Sequence, residues 1–186
     1  MNKEVFFDKI RKSLFKKLNQ KQVEGIEAFL DYWHTLNIDD NRKLAYILAT
    51  VYHETAFTMQ PIEEFGKGKG KPYGTKIKMD GKPYIDTDNI FYGRGHVQLT
   101  WYDNYLKAGK LLSADLIRNP EIMLNLKESV IVTTQGMLTG MFTGKRLSDY
   151  FNGRTTSPRQ ARRIVNGLDC AAKIAGYYSL FLSALP

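Results

Sequence analysis

Cysteine is almost missing. Cys170 stands alone in 186 residues, so no disulfide can form within the chain, and a single thiol suits a reducing compartment and a buried structural role. Histidine is scarce as well, with His34, His53 and His96 the only three. His53-Glu54 begins the zinc-protease pattern His-Glu-x-x-His, but position 57, where the second histidine belongs, holds Phe57. With no cysteine cluster to add ligands, neither a metal nor another cofactor is expected. Long apolar runs are lacking too, since no segment approaches the roughly 20 apolar residues that cross a bilayer. The first twenty residues, MNKEVFFDKIRKSLFKKLNQ, have no uninterrupted apolar core and no small-residue cleavage site, so they do not read as a secretory signal. These absences predict a chain made in the cytoplasm without stable membrane insertion.

What is present suffices for a core. Apolar residues make up 43% and aromatics 12% of the chain, which fits one domain over 1–186. Lysine and arginine number 27 against 19 aspartates and glutamates, a net charge of +8. Such a balance favours polyanionic surroundings: nucleic acid, an anionic membrane, or a bacterial envelope with its wall carboxylates and phosphates. The lysines are scattered over helix faces with no recognition motif, so nucleic acid is not an expected partner.

The apolar periodicity is mostly helical. Val5, Phe6, Ile10, Leu14 and Leu18 recur at helical spacing, and a second helix from about Gln20 places Val23, Ile26, Phe29, Leu30 and Trp33 on one face. Asp39 and Asp40 are candidate caps for a third, with Leu44, Ile47, Leu48 and Val51 as its stripe and Glu54 at its end, on the edge of the core. Residues 59–90 break the pattern. Gly66-Lys67-Gly68-Lys69-Gly70-Lys71 reads as a flexible basic loop and lacks the spacing of a phosphate-binding loop. Asp80-Gly81, between short alternating stretches over 76–86, predicts a tight β-hairpin. Helices return over 103–112, over 128–141 (apolar on most sides, hence central), from Ser157-Pro158 to Gly167, and over 169–185. The expected fold class is predominantly α with one small β element.

Three glutamates offer acid–base chemistry. Glu54 lies on a helix against apolar neighbours, which would keep it protonated as a general acid, while Glu63, with Glu64 beside it, lies on a polar loop and would stay ionised as a base. Glycoside hydrolysis needs such a pair, and a separation of roughly 6.5–9.5 Å leaves room for water and inverts the anomeric centre. One helix-surface glutamate and two loop glutamates would show the same pattern, so the pair does not decide by itself.

The order of motifs is more specific. His53-Glu54-Thr55, then Phe91-Tyr92-Gly93-Arg94-Gly95-His96-Val97-Gln98-Leu99-Thr100, then Asn104-Tyr105, then Ile164-Val165-Asn166-Gly167 resembles glycoside hydrolase family 19, the chitinases and related phage endolysins and bacterial muramidases. The matches run from about residue 44 to the end, and residues 1–40, the N-terminal helices, carry none. The resemblance implies a lysozyme-like α+β domain, a helical bundle with a small β-hairpin and a central substrate cleft. It places Glu54 on the general acid, Glu63 on the general base (Glu64 remaining an alternative), and Thr100 on the hydroxyl that holds the attacking water. It makes Gln98 and Asn104 sugar contacts, turns Asn166 to the cleft, and puts Tyr92 within the substrate-binding signature. Arg94 either braces the loop or touches substrate, and Trp101 and Tyr102 either pack in the core or stack on sugar rings.

The cysteines of plant chitinases are absent and the loop after Glu54 is rich in lysine and glycine, which places the chain nearer the endolysins. The implied reaction is hydrolysis of the β-1,4 bond between N-acetylmuramic acid and N-acetylglucosamine in peptidoglycan, with inversion. A chitinase and a non-catalytic wall-binding module are the rival readings. The enzyme would act as a monomer on the bacterial cell wall, after release by a separate export or holin-type route.

Overall fold

A computed structural model describes residues 2–186. In chain order the helices are α1 (Lys3–Ser13), α2 (Gln20–Thr35), α3 (Asn41–Glu54), α4 (Tyr102–Leu112), α5 (Leu126–Thr139), α6 (Leu147–Tyr150) and α7 (Ala171–Ala184); the strands are β1 (Ile62–Glu63) and β2 (Arg94–Gly95). The protein is predominantly α, as its periodicity predicts. It divides into two compact units, one formed by the residues up to Met59 together with Thr134–Pro186, the other by Gln60–Thr133.

In the first unit the helix starts follow from local chemistry. Asn2 accepts the Val5 N–H to open α1. Asn19 and Gln22 exchange side-chain bonds to each other's backbone N–H, both 2.9 Å, to open α2. Asp40, not Asp39, caps α3 by accepting the Arg42 N–H. The first helix stops at Ser13, short of Leu18. Continued helix would carry Phe15 about 140° away from Ile10; instead the N–H groups of Leu14 and Phe15 both bond the Ile10 carbonyl, and Phe15 turns inward against Tyr52.

The centre of this unit is α3. Every residue from Leu44 to Tyr52 is buried, so the helix is enclosed on all sides and not along the expected stripe alone. Ala45 and Ala49 keep it slender, and α7 packs along it, with α1 against α7 and α2 against α3. Full burial of each Leu, Ile or Val here contributes about 1.5–3 kcal/mol.

The helix expected from Ser157 to Gly167 is replaced by a 3-10 turn over Gln160–Ile164. Three residues per turn place Ala161 and Ile164 on one face, and both are fully buried together with Arg162.

In the second unit the sheet lies elsewhere than expected. β1 pairs antiparallel with β2, Ile62 opposite Gly95 and Glu63 opposite Arg94. The predicted hairpin over 76–86 is reduced to one bridge, Ile77 to Pro83, around a turn in which the Gly81 N–H bonds the Lys78 carbonyl. The Lys78 and Tyr84 N–H groups bond the Lys82 and Lys76 carbonyls, but the Lys82 N–H turns to the Asp80 carboxylate instead of closing the next rung, and Tyr84 is buried. The basic loop is not flexible coil but a run of turns, with the N–H groups of Lys67, Lys69 and Lys71 bonding the carbonyls of Glu64, Gly66 and Gly68 at 2.9–3.0 Å. Helix α5, expected over 128–141, starts and ends two residues earlier, and its residues up to Thr133 belong to this unit.

Candidate functional site

In the first unit Glu54 is the last residue of α3 and is half-buried. Its neighbour is not apolar surface, as the sequence suggested, but the guanidinium of Arg162, whose Nη1 donates to Oε1. Arg162 is 3% exposed, and its Nε donates to the Asp169 carbonyl at 3.0 Å. The same arginine reaches Asn166 through its backbone, for the Asn166 N–H bonds the Arg162 carbonyl. Asn166 is exposed, and its side-chain oxygen accepts the Gly167 N–H at 2.8 Å. His53 is half-buried near Tyr177, and burial pushes its imidazole below the usual histidine range. A cleft of about 550 Å³ bordered by Leu30, Trp33, His34 and Asp39 contains none of the candidate residues.

In the second unit Glu63 sits on β1, opposite Arg94 of β2. Its Oε1 accepts the Tyr92 hydroxyl at 2.5 Å and its Oε2 pairs with Lys67 Nζ at 3.1 Å. These two partners, the hydroxyl first, hold the carboxyl below its ordinary range despite some desolvation, so Glu63 is ionised near neutral pH. Glu64 is built differently. Alternation along the chain sends it to the other side, where Oε1 accepts the Tyr73 hydroxyl at 3.1 Å and Oε2 the Gly93 N–H at 2.9 Å. It ties the two strand segments together, whereas Glu63 is the more exposed carboxylate.

The Gly-Arg-Gly stretch forms a four-residue turn. The backbones of Arg94 and Leu99 exchange hydrogen bonds in both directions, with Gly95 at φ +85° and Gln98 at +52°. Gln98 Nε2 donates to the carbonyls of Ile62 and Gly95 at 3.0 and 3.2 Å, so its amide nitrogen serves the turn.

The two readings left open for Arg94 resolve toward bracing. It is 3% exposed, its Nη1 donates to the Ile90 carbonyl and the Tyr105 hydroxyl, and its guanidinium lies 3.7 Å above the Tyr92 ring. Tyr102 is likewise a packing residue, buried and stacked on Tyr84 at 4.8 Å. Thr100 is half-buried, and its side chain makes no hydrogen bond among the described residues. Asn104 on α4 is 6% exposed, with its Oδ1 lacking a partner among the described residues. Trp101, at φ +72°, stands between them and meets Tyr73 edge-on at 5.9 Å.

The structure thus joins Tyr92 to Glu63 directly, and Gln98 to the same strand pair. Sequence reasoning missed Arg162 and Tyr73, and it did not foresee that Tyr105 of the Asn104-Tyr105 motif is fully buried and bonded to Arg94. The first has a visible signal: a charged residue inside the apolar-periodic run Ala161-Arg162-Arg163-Ile164, where burial demands a counter-charge.

The family model described as chitinase class I, glycoside hydrolase 19, matches residues 25–143. Among curated proteins, an endochitinase of Arabidopsis thaliana is 32% identical over 105 residues, 56% of this chain and 34% of that protein. Acidic endochitinase SP2 of Beta vulgaris is 35% identical over 83 residues, 45% of this chain and 28% of that protein. The matched part therefore spans about a third of the length of these relatives. The crystal structure of chitinase C from Streptomyces griseus HUT6037 shares the fold at a TM-score of 0.64 and 18% identity, covering 97% of this chain and 90% of the other.

Proposed function

Because the chain belongs to glycoside hydrolase family 19, we propose that it hydrolyses a β-1,4-linked polysaccharide of N-acetylated amino sugars by an inverting acid–base mechanism, with the whole chain acting as one catalytic domain. Glu54 protonates the leaving glycosidic oxygen. Glu63 removes a proton from the water that attacks the anomeric carbon, and Thr100 positions that water. Tyr92, Gln98, Asn104 and Asn166 line the path of the sugar. The single observation that carries this reading is the family match, whose span includes both carboxylates and the whole Tyr92–Thr100 segment. Support for Glu63 over Glu64 comes from placement: Glu64 is anchored to the Gly93 backbone N–H and the Tyr73 hydroxyl, whereas Glu63, its oxygens met by the side chains of Tyr92 and Lys67, is ionised and more exposed.

The substrate we favour is peptidoglycan, cut between N-acetylmuramic acid and N-acetylglucosamine after the enzyme reaches the wall by a separate release route. A net charge of +8 raises the encounter rate with an anionic wall and gives nothing on a neutral polymer. Chitin is the second reading, favoured by the likeness to the endochitinases of Arabidopsis thaliana and Beta vulgaris. Mass spectrometry of products from purified walls and from chitin oligomers separates the two. Reducing-end muramic acid from walls is expected, with Glu54→Gln and Glu63→Gln each lowering the rate by at least about 10²-fold and Glu64→Gln acting mainly on stability. Products cut only at peptide bonds would sink the glycosidase reading.

A further inference from the structure

We propose that Lys69 and Lys71 form a carboxylate-reading subsite beside Glu63, so that their loop selects an anionic glycan over a neutral one; this rests on the peptidoglycan reading above. The fifteen residues from Phe65 to Met79 contain five lysines and no carboxylate. Three of the five are engaged: Lys67 with Glu63 at 3.1 Å, Lys76 with Asp88 at 2.9 Å, and Lys78 over the Tyr102 ring at 5.1 Å. Lys69 and Lys71 are exposed and have no anion among the described residues.

The loop that carries them has a defined shape. Its successive turns need positive φ at Lys67, Gly68 and Gly70. Gly68 is buried so closely that a Cβ there would lie 2.7 Å from Gly74 Cα and 3.1 Å from Tyr92 Cβ. The chain is thereby clasped to itself and to Tyr92, the residue whose hydroxyl holds Glu63. A basic segment that served only solubility would need no such ordering, because disordered lysines solvate equally well. Carried on a loop that packs against Tyr92, whose hydroxyl bonds Glu63, two ammonium groups without an anion among the described residues instead suit a substrate that carries negative charge near its scissile bond. Peptidoglycan does so through lactyl-linked stem peptides with free carboxylates, and chitin does not. Lysine, with three rotatable donors on a flexible stem, tolerates the variable placement of such carboxylates.

The test uses the full chain and soluble, phosphate-free glycan strands bearing stem peptides, either native or with their carboxyls amidated, beside N-acetylglucosamine oligomers. The readout is the ratio of kcat/KM on native to amidated strands. In the double variant Lys69→Gln/Lys71→Gln this ratio should fall roughly three- to tenfold, the size expected for two exposed ion pairs, mostly through KM. The difference should shrink as salt is raised. An unchanged ratio, or an equal loss on all three substrates, would overturn the subsite while leaving the peptidoglycan reading intact. Wild-type protein that cuts only the N-acetylglucosamine oligomers would overturn both.

Discussion

The guanidinium of Arg162 holds the carboxylate of Glu54 from 108 residues further along the chain, while its own Nε is fixed on the carbonyl of Asp169. Neither member is dispensable to the other. With Arg162 3% exposed and the Glu54 side chain 17% exposed, removing one leaves a poorly solvated charge. Arg162→Ala should lower unfolding stability by about 3 kcal/mol, the lower end for breaking a buried pair, read as the shift of a urea midpoint. Arg162→Lys should regain part of this loss but not the two-point grip, because an ammonium lacks the planar fork. A double-mutant cycle with Glu54→Gln should show coupling, and strict additivity would mean the pair is not formed in solution.

Glu63 should set the acidic limb of activity. Its folded carboxyl lies below the free value of 4.5, chiefly because of the Tyr92 hydroxyl and then because of Lys67. A depressed carboxyl contributes stability that is complete above 4.5 and is lost as pH falls through the folded value. Tyr92→Phe removes the leading cause, so the acidic limb of the kcat/KM profile should move upward, toward 4.5. A limb that moves downward, or stays in place, would detach Glu63 from the proton transfer.

His53 predicts a second pH effect, on stability. Burial lowers its folded value below the ordinary 6.5, with the nearby Glu54 opposing and Arg162 and Lys173 assisting. A depressed group of this kind favours the folded state above 6.5 and costs stability as pH falls below it. Denaturation midpoints of the wild type should therefore decline below pH 6.5 more steeply than those of His53→Gln. Parallel profiles for the two proteins would contradict it.

Two glycines of the basic loop should respond unequally to alanine. Gly68 and Gly70 share φ +75°, but a Cβ at Gly70 meets open space and one at Gly68 meets backbone. Gly70→Ala should cost about 1 kcal/mol for the left-handed conformation alone. Gly68→Ala should cost about 3 kcal/mol, since the overpacking adds to it, and should loosen the contact with Tyr92. Equal midpoint shifts would mean the loop is not clasped as described.

Local chemistry made parts of this protein readable from its sequence. The Asp40 cap and the apolar stripe placed α3 and located Glu54 at its end. Pairing across long separations was not readable. β1 and β2 are two residues each and join positions 62 and 95, too short for an alternation to register, while the more obvious Asp80-Gly81 turn yields a single bridge, with the Lys82 N–H taken by the Asp80 side chain. The Arg162–Glu54 pair has no spacing to betray it, and the loop of glycines and lysines gave no hint that its turns close on one another.

Glu54 also stands where the peptide dipoles of α3 converge. A helix gathers the equivalent of about half a negative charge at its carboxyl end, and the carboxyl group of Glu54, its final residue, stands at the same place. Through Glu54, Arg162 is thus held at the end of α3 that gathers this charge. Any relocation of Glu54 toward the middle of α3 would draw the carboxyl group away from that end, and would leave the buried guanidinium of Arg162 with the Asp169 carbonyl but without the oxygen that accepts from its Nη1.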